Sequence, residues 1–215
     1  MKYSIIITCY NKSKFVSRCI RSAINQRGIN RSSYEIIVVD DKSKDKSLKI
    51  INEFEGLIKI IKNRKNLGLP NSRNIGIKKS KGKYILLLDA DDYLNDFFLS
   101  ITGSFLDFNQ SWNAAATDYF TVRPDGKKIK RYSCKDNPIA CGILYRRKIF
   151  SKIGNFDENF KILEDQEFRS RFLKKFKFGF IELPLYRYTM HNNNMTKNKK
   201  AMMFYRKKLL KKLSV

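Results

Sequence analysis

Short apolar runs alternate with helix-type patterns along the first ninety residues, and this alternation constrains the fold more than any other feature. The apolar runs predict strands over 3–8, 35–39, 57–61 and 84–88. Helical spacing predicts intervening helices over 15–24, 45–54 and 70–79. Asn11 or Ser13 can cap the first helix, and Pro70 suits the first turn of the third. Continuous apolar strands separated by helices indicate a mainly parallel sheet covered on both faces, so the predicted fold class is α/β.

The second part of the chain follows a different order. It predicts a helix over 95–108, strands over 115–122 and 139–145, a helix over 164–175 and short strands over 178–182 and 185–188. Phe168, Phe172 and Phe176 recur at helical spacing, which favours core packing over a ligand-binding role. Neither a repeat nor a low-complexity linker separates the two parts, which indicates one continuous domain.

Composition agrees with a folded, water-soluble chain. Hydrophobic residues make up 42% and charged residues 30% of the 215 residues, enough for one well-cored domain. The apolar runs fall far short of the roughly 18 to 20 residues of a membrane-spanning helix, and the chain begins on a strand with no secretory signal. The cysteines lack CxxC spacing, which predicts reduced thiols in a cytoplasmic protein: they are Cys9, Cys19, Cys134 and Cys141.

Acidic residues are scarce, 20 against 45 basic ones, yet eight of them fall in three tight groups. The groups are Asp40–Asp41, Asp89/Asp91/Asp92 and Glu164/Asp165/Glu167. The first two follow apolar strands, at the edge where a parallel sheet places its ligand crevice, as do Thr8, Tyr10 and Asn11. Clustered carboxylates repel one another unless a cation relieves them, and oxygen ligands select Mg²⁺ or Mn²⁺. A metal site is therefore favoured over helix capping, the role that suits Asp45.

Other nucleotide-binding and nucleophilic devices are missing from the sequence. It contains no GxGxxG motif, and no GKS or GKT follows a glycine loop, which argues against Rossmann dehydrogenases and P-loop enzymes. The single histidine, His191, lies in an asparagine-rich segment with no nucleophile near it, so serine or cysteine catalysis has little support. A bound nucleotide would be held by a carboxylate-bound metal and basic side chains.

Three segments of the first part resemble family 2 glycosyltransferases of the GT-A type, in order and at the expected spacing. They are SIIITCYNKSKFVSRCIRSAINQ, EIIVVDDKSKDKS and NLGLPNSRNIGIKKSKGKYILLLDADD. GNFDENF, EDQEFRSRF and YRYTMHNNNMT resemble the acceptor half of the same family. The resemblance implies one GT-A-type domain over 1–196, with a nucleotide-sugar-binding half (1–95), an acceptor half (96–196) and a basic tail (197–215).

On the donor side, the resemblance assigns roles to five residues. Asp41 would hydrogen-bond a uracil-type base, with Thr8 and Tyr10 completing that pocket. Asp89 and Asp91 match the DxD motif. Asp91 would bind Mn²⁺ or Mg²⁺, and Asp89 would contact the ribose or metal-bound water.

The remaining assignments concern the phosphates and the acceptor. Arg73 would contact the donor phosphates, and His191 would contact the metal or diphosphate unless it is an ordinary loop histidine. Glu164 and Asp165 match the substrate-binding and catalytic residues of the ED pair. With Asp165 as the base that deprotonates an acceptor hydroxyl, a single displacement would invert the anomeric centre.

This resemblance implies a metal-dependent inverting glycosyltransferase that uses a nucleotide diphosphate sugar, UDP-linked by family frequency. The acceptor would be a carbohydrate or lipid-linked hydroxyl in cell-surface polysaccharide or glycolipid synthesis. A catalytically inactive nucleotide-sugar-binding protein is the alternative. The net charge of +25 also raises nucleic-acid binding, but no nucleic-acid-binding motif supports a specific complex.

Positive charge is concentrated at the end of the chain, where no acidic residue follows Glu182. An apolar stripe at helical spacing runs between lysines there: Met202, Tyr205, Leu209, Leu210 and Leu213. Such a helix either lies on an anionic membrane surface or packs on the body with its lysines solvated. The location predicted is cytoplasmic, with peripheral contact to the inner membrane face under the first reading. An AT-rich genome would also produce a lysine-rich composition without any such partner.

Overall fold

The computed structural model describes residues 1–192 and 194–214, apart from the side chain of Thr196. Its strands are β1 (Tyr3–Cys9), β2 (Tyr34–Asp40), β3 (Lys59–Lys62), β4 (Tyr84–Asp89), β5 (Tyr93–Leu94), β6 (Ala114–Val122), β7 (Lys128–Tyr132), β8 (Ile143–Arg146) and β9 (Phe178–Thr189). Its α-helices are α1 (Val16–Ile24), α2 (Ser47–Asn52), α3 (Leu69–Lys79), α4 (Phe98–Phe108), α5 (Lys148–Ile153), α6 (Glu164–Leu173) and α7 (Lys199–Leu213). The predicted α/β class is confirmed.

One sheet runs through both halves of the chain, in the order β3-β2-β1-β4-β8-β6-β9-β5, with β7 beside β6. The first four strands are parallel, whereas the pairings made by β8, β7 and β5 are antiparallel. In register, Thr8 lies opposite Asp89, and Cys9 lies opposite Asp40. The carboxyl ends of β1, β2 and β4 therefore meet at one edge, as the sequence predicts.

Every residue of β1 is buried, because helices cover both faces of the parallel strands. Helix α3 packs so closely on β1 that a Cβ at Gly76 would lie 2.3 Å from Cγ2 of Ile6. This close packing brings Arg73, one turn earlier in α3, beside the end of β4. In the second half, Phe168 and Phe172 are buried among aromatic rings, which confirms their predicted role in the core.

The predicted cap of the first helix is wrong. Helix α1 begins at Val16 and no side chain caps it. Asn11 adopts a left-handed backbone (φ 53°), and its Oδ1 accepts a hydrogen bond from the Lys44 amide at 2.7 Å. The Ser13 amide donates to Asp45 at 3.0 Å. These residues therefore join the loops after β1 and β2. The N-cap position of α2 is Lys46 and not Asp45 as predicted, but Asp45 accepts a hydrogen bond from the Ser47 amide at 2.9 Å, just before the helix.

The two short strands expected near the end of the sheet are one strand, β9, which pairs with β6 along its length. The register shifts where Asp118 faces Pro184, and this irregularity accommodates the proline within the strand. Sequence reasoning missed β5, β7 and α5. Strand β7 is mostly exposed and reads KIKRY, so it carries no apolar signal.

Helix α7 packs one face against the body. Leu209 is buried, Tyr205 lies against Phe160, and Lys212 pairs with Asp157 at 2.8 Å and with Glu167 at 2.7 Å. Large apolar side chains elsewhere on this helix are exposed: Met203, Phe204, Leu210 and Leu213. Among the described residues, no helix has both the length and the apolar character needed to cross a bilayer.

Candidate active site

Eight of the nine site residues singled out from the sequence line a single cleft of about 670 Å³ at the carboxyl ends of the parallel strands. They are Thr8, Tyr10, Asp41, Arg73, Asp89, Asp91, Glu164 and Asp165. The ninth, His191, contacts Asp91. The volume falls in the roughly 300–1,000 Å³ range of ligand pockets. Acids from three separate stretches of chain therefore converge on one cavity.

Asp41 anchors the loop that leads into α3. Its buried carboxylate accepts hydrogen bonds of 2.8 Å each from Asn63 Nδ2, the Leu67 amide and the Gly68 amide. Its own amide donates to the carbonyl of Cys9 at 2.8 Å, which ties the end of β2 to the end of β1. Thr8 and the half-exposed Tyr10 lie on that neighbouring segment, so the three residues predicted for base binding share one end of the cleft.

Arg73 forms a buried bridge between the two halves of the site. Its Nη2 lies 2.9 Å from Asp89 Oδ1 and its Nη1 lies 2.6 Å from Glu164 Oε1. The side chain is 1% exposed. Both terminal nitrogens are therefore committed to carboxylates, and Arg73 joins the end of β4 to the first turn of α6. Its predicted contact with donor phosphates stays a prediction.

Glu164 is the buried partner in this bridge. Burial raises the pKa of its carboxyl to about 7, because desolvation disfavours the charged form more strongly than Arg73 favours it. The charge of neighbouring Asp165 acts in the same direction as burial. Glu164 therefore titrates near neutrality, unlike an ordinary surface glutamate.

Two side chains, those of His191 and Lys12, contact the same carboxylate oxygen of Asp91, Oδ2. His191 Nε2 lies 2.8 Å away, and Lys12 Nζ forms a short ion pair with the same oxygen. The His191 ring stacks on Phe15, with centroids 4.9 Å apart, so its orientation is fixed. Burial raises the pKa of Asp91, but the hydrogen bond from His191 and the charge of Lys12 outweigh it and leave that pKa below its usual range.

Asp92, next in sequence, is structural. Its Oδ1 accepts the Thr189 amide at 2.7 Å and its Oδ2 accepts the Tyr186 hydroxyl at 2.6 Å. Burial raises its pKa well above the usual range, and the charges of Asp91 and Asp89 add to the effect. These bonds fix the end of β9 against the turn after β4, and His191 follows two residues later. Asp92 thereby helps to deliver His191 to Asp91.

Asp165 lies in the first turn of α6, with a side chain that is 20% exposed towards the cleft. Its neighbour Arg169 approaches only to 3.8 Å. The third acid of the group, Glu167, points elsewhere and pairs with Arg171 and Lys212 at 2.7 Å each. Of the three acids, Glu164 and Asp165 therefore line the cleft, and Glu167 holds α7 through Lys212.

The cleft offers two convergent ligands for a divalent cation, the Asp91 carboxylate and the Nε2 atom of His191. Within the described residues, no group of three or more His, Cys, Asp and Glu side chains could enclose a metal. Asp89 has one oxygen engaged by Arg73. Two ligands fit Mg²⁺ or Mn²⁺ in a nucleotide site, where substrate phosphates and water complete the coordination.

Sequence reasoning missed Lys12. The residue follows β1 by three positions and lines the same cleft as the carboxylates. A signal was present, because a basic residue at the carboxyl edge of a parallel sheet faces whatever acids end the neighbouring strands. It was hidden by the abundance of lysine, since 45 of the 215 residues are basic.

Comparison with known proteins identifies relatives with the same fold. The model of the family described as Glycosyl transferase family 2 matches residues 4–213. Poly(ribitol-phosphate) beta-glucosyltransferase of Bacillus spizizenii is 42% identical over 115 residues, which cover 52% of this chain and 18% of that protein. Poly(ribitol-phosphate) beta-N-acetylglucosaminyltransferase TarS of Staphylococcus aureus is 32% identical over 114 residues, or 52% of this chain and 20% of TarS.

A crystal structure of S. aureus TarS 1–349 in complex with UDP superimposes with a TM-score of 0.76 at 25% identity. The match covers 88% of this chain and 61% of that one. It confirms the predicted GT-A-type fold. This chain spans about a fifth of the length of the two curated relatives.

Proposed function

Because the chain belongs to glycosyl transferase family 2, we propose that it transfers a sugar from a UDP-sugar to a hydroxyl of a cell-surface polymer. One observation carries the proposal: Asp41, Asp91 and Asp165, from three separate segments, line a single cleft large enough for a nucleotide sugar. UDP is favoured as the nucleotide because TarS, a relative of similar fold, was crystallised with UDP.

The acceptor we propose is a polyol-phosphate chain. Two relatives are named for action on poly(ribitol-phosphate). The net charge of +25 would attract such a polyanion, and the effect would weaken with salt. In this proposal the positive charge of the protein attracts the acceptor, and no nucleic acid is bound specifically.

In the proposed mechanism Asp91 and His191 would hold Mn²⁺ or Mg²⁺, and Asp41, Thr8 and Tyr10 would bind the nucleobase. A cation bound there would neutralise the charge that develops on the departing diphosphate. Asp165 accepts the proton of the acceptor hydroxyl, which then attacks the anomeric carbon directly. Such a single displacement inverts the anomeric centre. The ion pair between Arg73 and Glu164 holds the first turn of α6 beside the end of β4. The catalytic base Asp165, in that turn, therefore faces the donor.

The test is a thermal-shift screen of nucleotide sugars with Mn²⁺ and Mg²⁺, followed by transfer assays with the best donor and a polyol-phosphate acceptor. We expect stabilisation by a UDP-sugar that requires the cation, and a glycosylated product of inverted configuration. Stabilisation without transfer or donor hydrolysis would instead favour a nucleotide-sugar-binding protein without activity. Absence of any nucleotide effect would refute the proposal.

We also propose that the outer face of α7 lies on an anionic membrane at the cytoplasmic side. Met203, Leu210 and Leu213 are exposed on this helix, and lysines flank them. Apolar insertion combined with lysine–lipid attraction is the pattern of interfacial helices. The chain with Met203, Phe204 and Leu210 changed to serine should lose flotation with liposomes that contain anionic lipid. Equal flotation of both forms would reject the membrane contact.

A further inference from the structure

Lys12 holds the carboxylate on which the proposed cation would bind. Its ammonium pairs with Asp91 Oδ2, the same oxygen that lies 2.8 Å from His191 Nε2. The side chains of Lys12 and Asp91 are only 21% and 12% exposed, so this ion pair is poorly screened by water. Lys12 therefore places a partly buried positive charge in the lining of the cleft.

The backbone of Lys12 is fixed, so only its side chain can move. Its amide donates to Ser47 Oγ at 2.7 Å, and its carbonyl accepts from the amides of Phe15 and Val16 at 2.9 Å each. Beyond the Cα, four methylene groups carry a compact ammonium with three rotatable donors. The side chain lines the cleft and can reach another position in it without any change in the fold.

A divalent ion and the Lys12 ammonium would compete for the Asp91 carboxylate. A divalent ion held by Asp91 and His191 would lie within a few ångströms of the Lys12 ammonium, and like charges at that distance repel strongly in a partly buried site. This repulsion favours departure of Lys12 from Asp91 when such an ion binds. The diphosphate of a donor, which arrives in the same cleft, offers the anionic oxygens that an ammonium binds well.

We propose that Lys12 is the resident counter-cation of Asp91, that it competes with the divalent ion for this carboxylate, and that it moves onto the donor diphosphate once ion and donor bind together. The inference rests on the proposed function and gives a role to Lys12, which that function leaves without one. Competition from Lys12 would make binding of the ion alone weak and would couple ion binding to donor binding.

The proposal predicts effects of opposite sign at the two binding steps. Removing the ammonium frees Asp91 for the ion, so binding of the ion alone should become tighter. The same change removes a phosphate ligand, so binding of the nucleoside diphosphate in the presence of saturating ion should become weaker. A merely structural role for Lys12 would weaken both steps.

The experiment titrates Mn²⁺ without nucleotide, with free Mn²⁺ followed by electron paramagnetic resonance, and then titrates UDP at saturating Mn²⁺ by calorimetry. The variants are Lys12→Met and, as the matched control for net charge, Lys14→Met, because Lys14 is exposed in the same segment. For Lys12→Met we expect about tenfold tighter Mn²⁺ binding and about tenfold weaker UDP binding, at the lower end of the effects known for groups around metal ligands. Lys14→Met should stay within about twofold of the parent in both.

Mn²⁺ binding by Lys12→Met that is no tighter than that of Lys14→Met would overturn the proposal. So would unchanged affinity for UDP. Lys12→Gln serves as a second neutral variant if Lys12→Met folds poorly, and circular dichroism checks the fold of each. Because the Mn²⁺ titration uses neither sugar nor acceptor, its outcome is independent of whether the proposed transfer reaction is found.

Discussion

The two ends of the cleft treat their carboxylates differently. At the proposed donor end each of these acids already has partners from the chain: Asp41 accepts three hydrogen bonds, Asp89 pairs with Arg73, and Asp91 pairs with Lys12 and His191. At the proposed acceptor end Glu164 is likewise paired with Arg73, but among the described residues the ion pair of Asp165 is a long one, with Arg169 at 3.8 Å.

Under the proposed function, this difference would separate donor binding from the chemical step. Donor-end acids are held by the fold, so a ligand there has to exchange with an internal partner, and a substitution there disturbs structure as well as binding. Asp165 has a carboxylate that can accept a proton without breaking a strong internal ion pair. Substitution of Asp165 should therefore affect turnover and little else.

The largest expected effect is on turnover. Asp165→Asn keeps the size of the side chain but cannot act as a base, so transfer should fall at least about 10³-fold, within the range for lost general-base catalysis. UDP affinity and Tm should stay near the parent values, because Asp165 has no close ion pair to lose. Steady-state kinetics and calorimetry measure the two quantities. The exposed Asp136→Asn is the control, and loss of UDP binding in Asp165→Asn would contradict the division between the two ends.

Arg73→Met should produce the largest loss of stability. It leaves Asp89 and the buried Glu164 without their shared cation, and breaking such a bridge costs about 3 kcal/mol or more. Urea denaturation gives the free energy of unfolding. Adding Glu164→Gln to this variant should restore part of the loss, because one of the two unpaired charges disappears. A change of less than about 1 kcal/mol in Arg73→Met would show that the bridge is not structural.

Asp91→Ala should weaken UDP binding in the presence of Mn²⁺ by at least about tenfold, and should not weaken the binding measured in EDTA, where it releases Lys12 for the diphosphate. The reason is that Asp91 is the proposed carboxylate ligand of the cation. Calorimetry under both conditions gives the comparison. Equal loss in Mn²⁺ and in EDTA would mean that Asp91 supports the donor pocket structurally.

The smallest effect is a pH dependence of stability. The pKa of Glu164 is raised by burial from 4.5 to about 7, so the fold favours its protonated form. Its stabilising contribution is full below about pH 4.5 and is lost as the pH rises through 7. Between pH 6 and pH 8 the parent should lose about 1 kcal/mol, roughly 3 °C in Tm, relative to Glu164→Gln, which stays neutral. Parallel Tm profiles of the two proteins would contradict this assignment.

The sequence predicted most of the first ninety residues, because apolar strands followed by acids leave few arrangements of a parallel sheet. Thr8, Tyr10, Asp41, Asp89 and Asp91 meet at one edge for that reason. Prediction was weaker where tertiary contacts decide. The exposed strand β7 has no apolar pattern. Asn11 and Ser13, expected to cap α1, instead form hydrogen bonds between the loops after β1 and β2.

Ion-pair partners were the least predictable part of the site. Arg73 lies 16 residues before Asp89 and 91 before Glu164, and Lys12 lies 79 before Asp91. Nothing in local propensity encodes such pairs, because they depend on how helices pack against the sheet. The resemblance located the acidic residues, and the structure identifies the basic side chains that pair with them.

The most direct test of the shared cleft is anomalous scattering from Mn²⁺ in crystals grown with UDP. We predict one Mn²⁺ peak within about 2.2 Å of Asp91 Oδ2, next to the diphosphate of UDP. The uracil ring should lie near Asp41, and the part of the cleft next to Asp165 should stay open for an acceptor. A Mn²⁺ peak remote from Asp91, or UDP bound outside the cavity that these three aspartates line, would contradict the account.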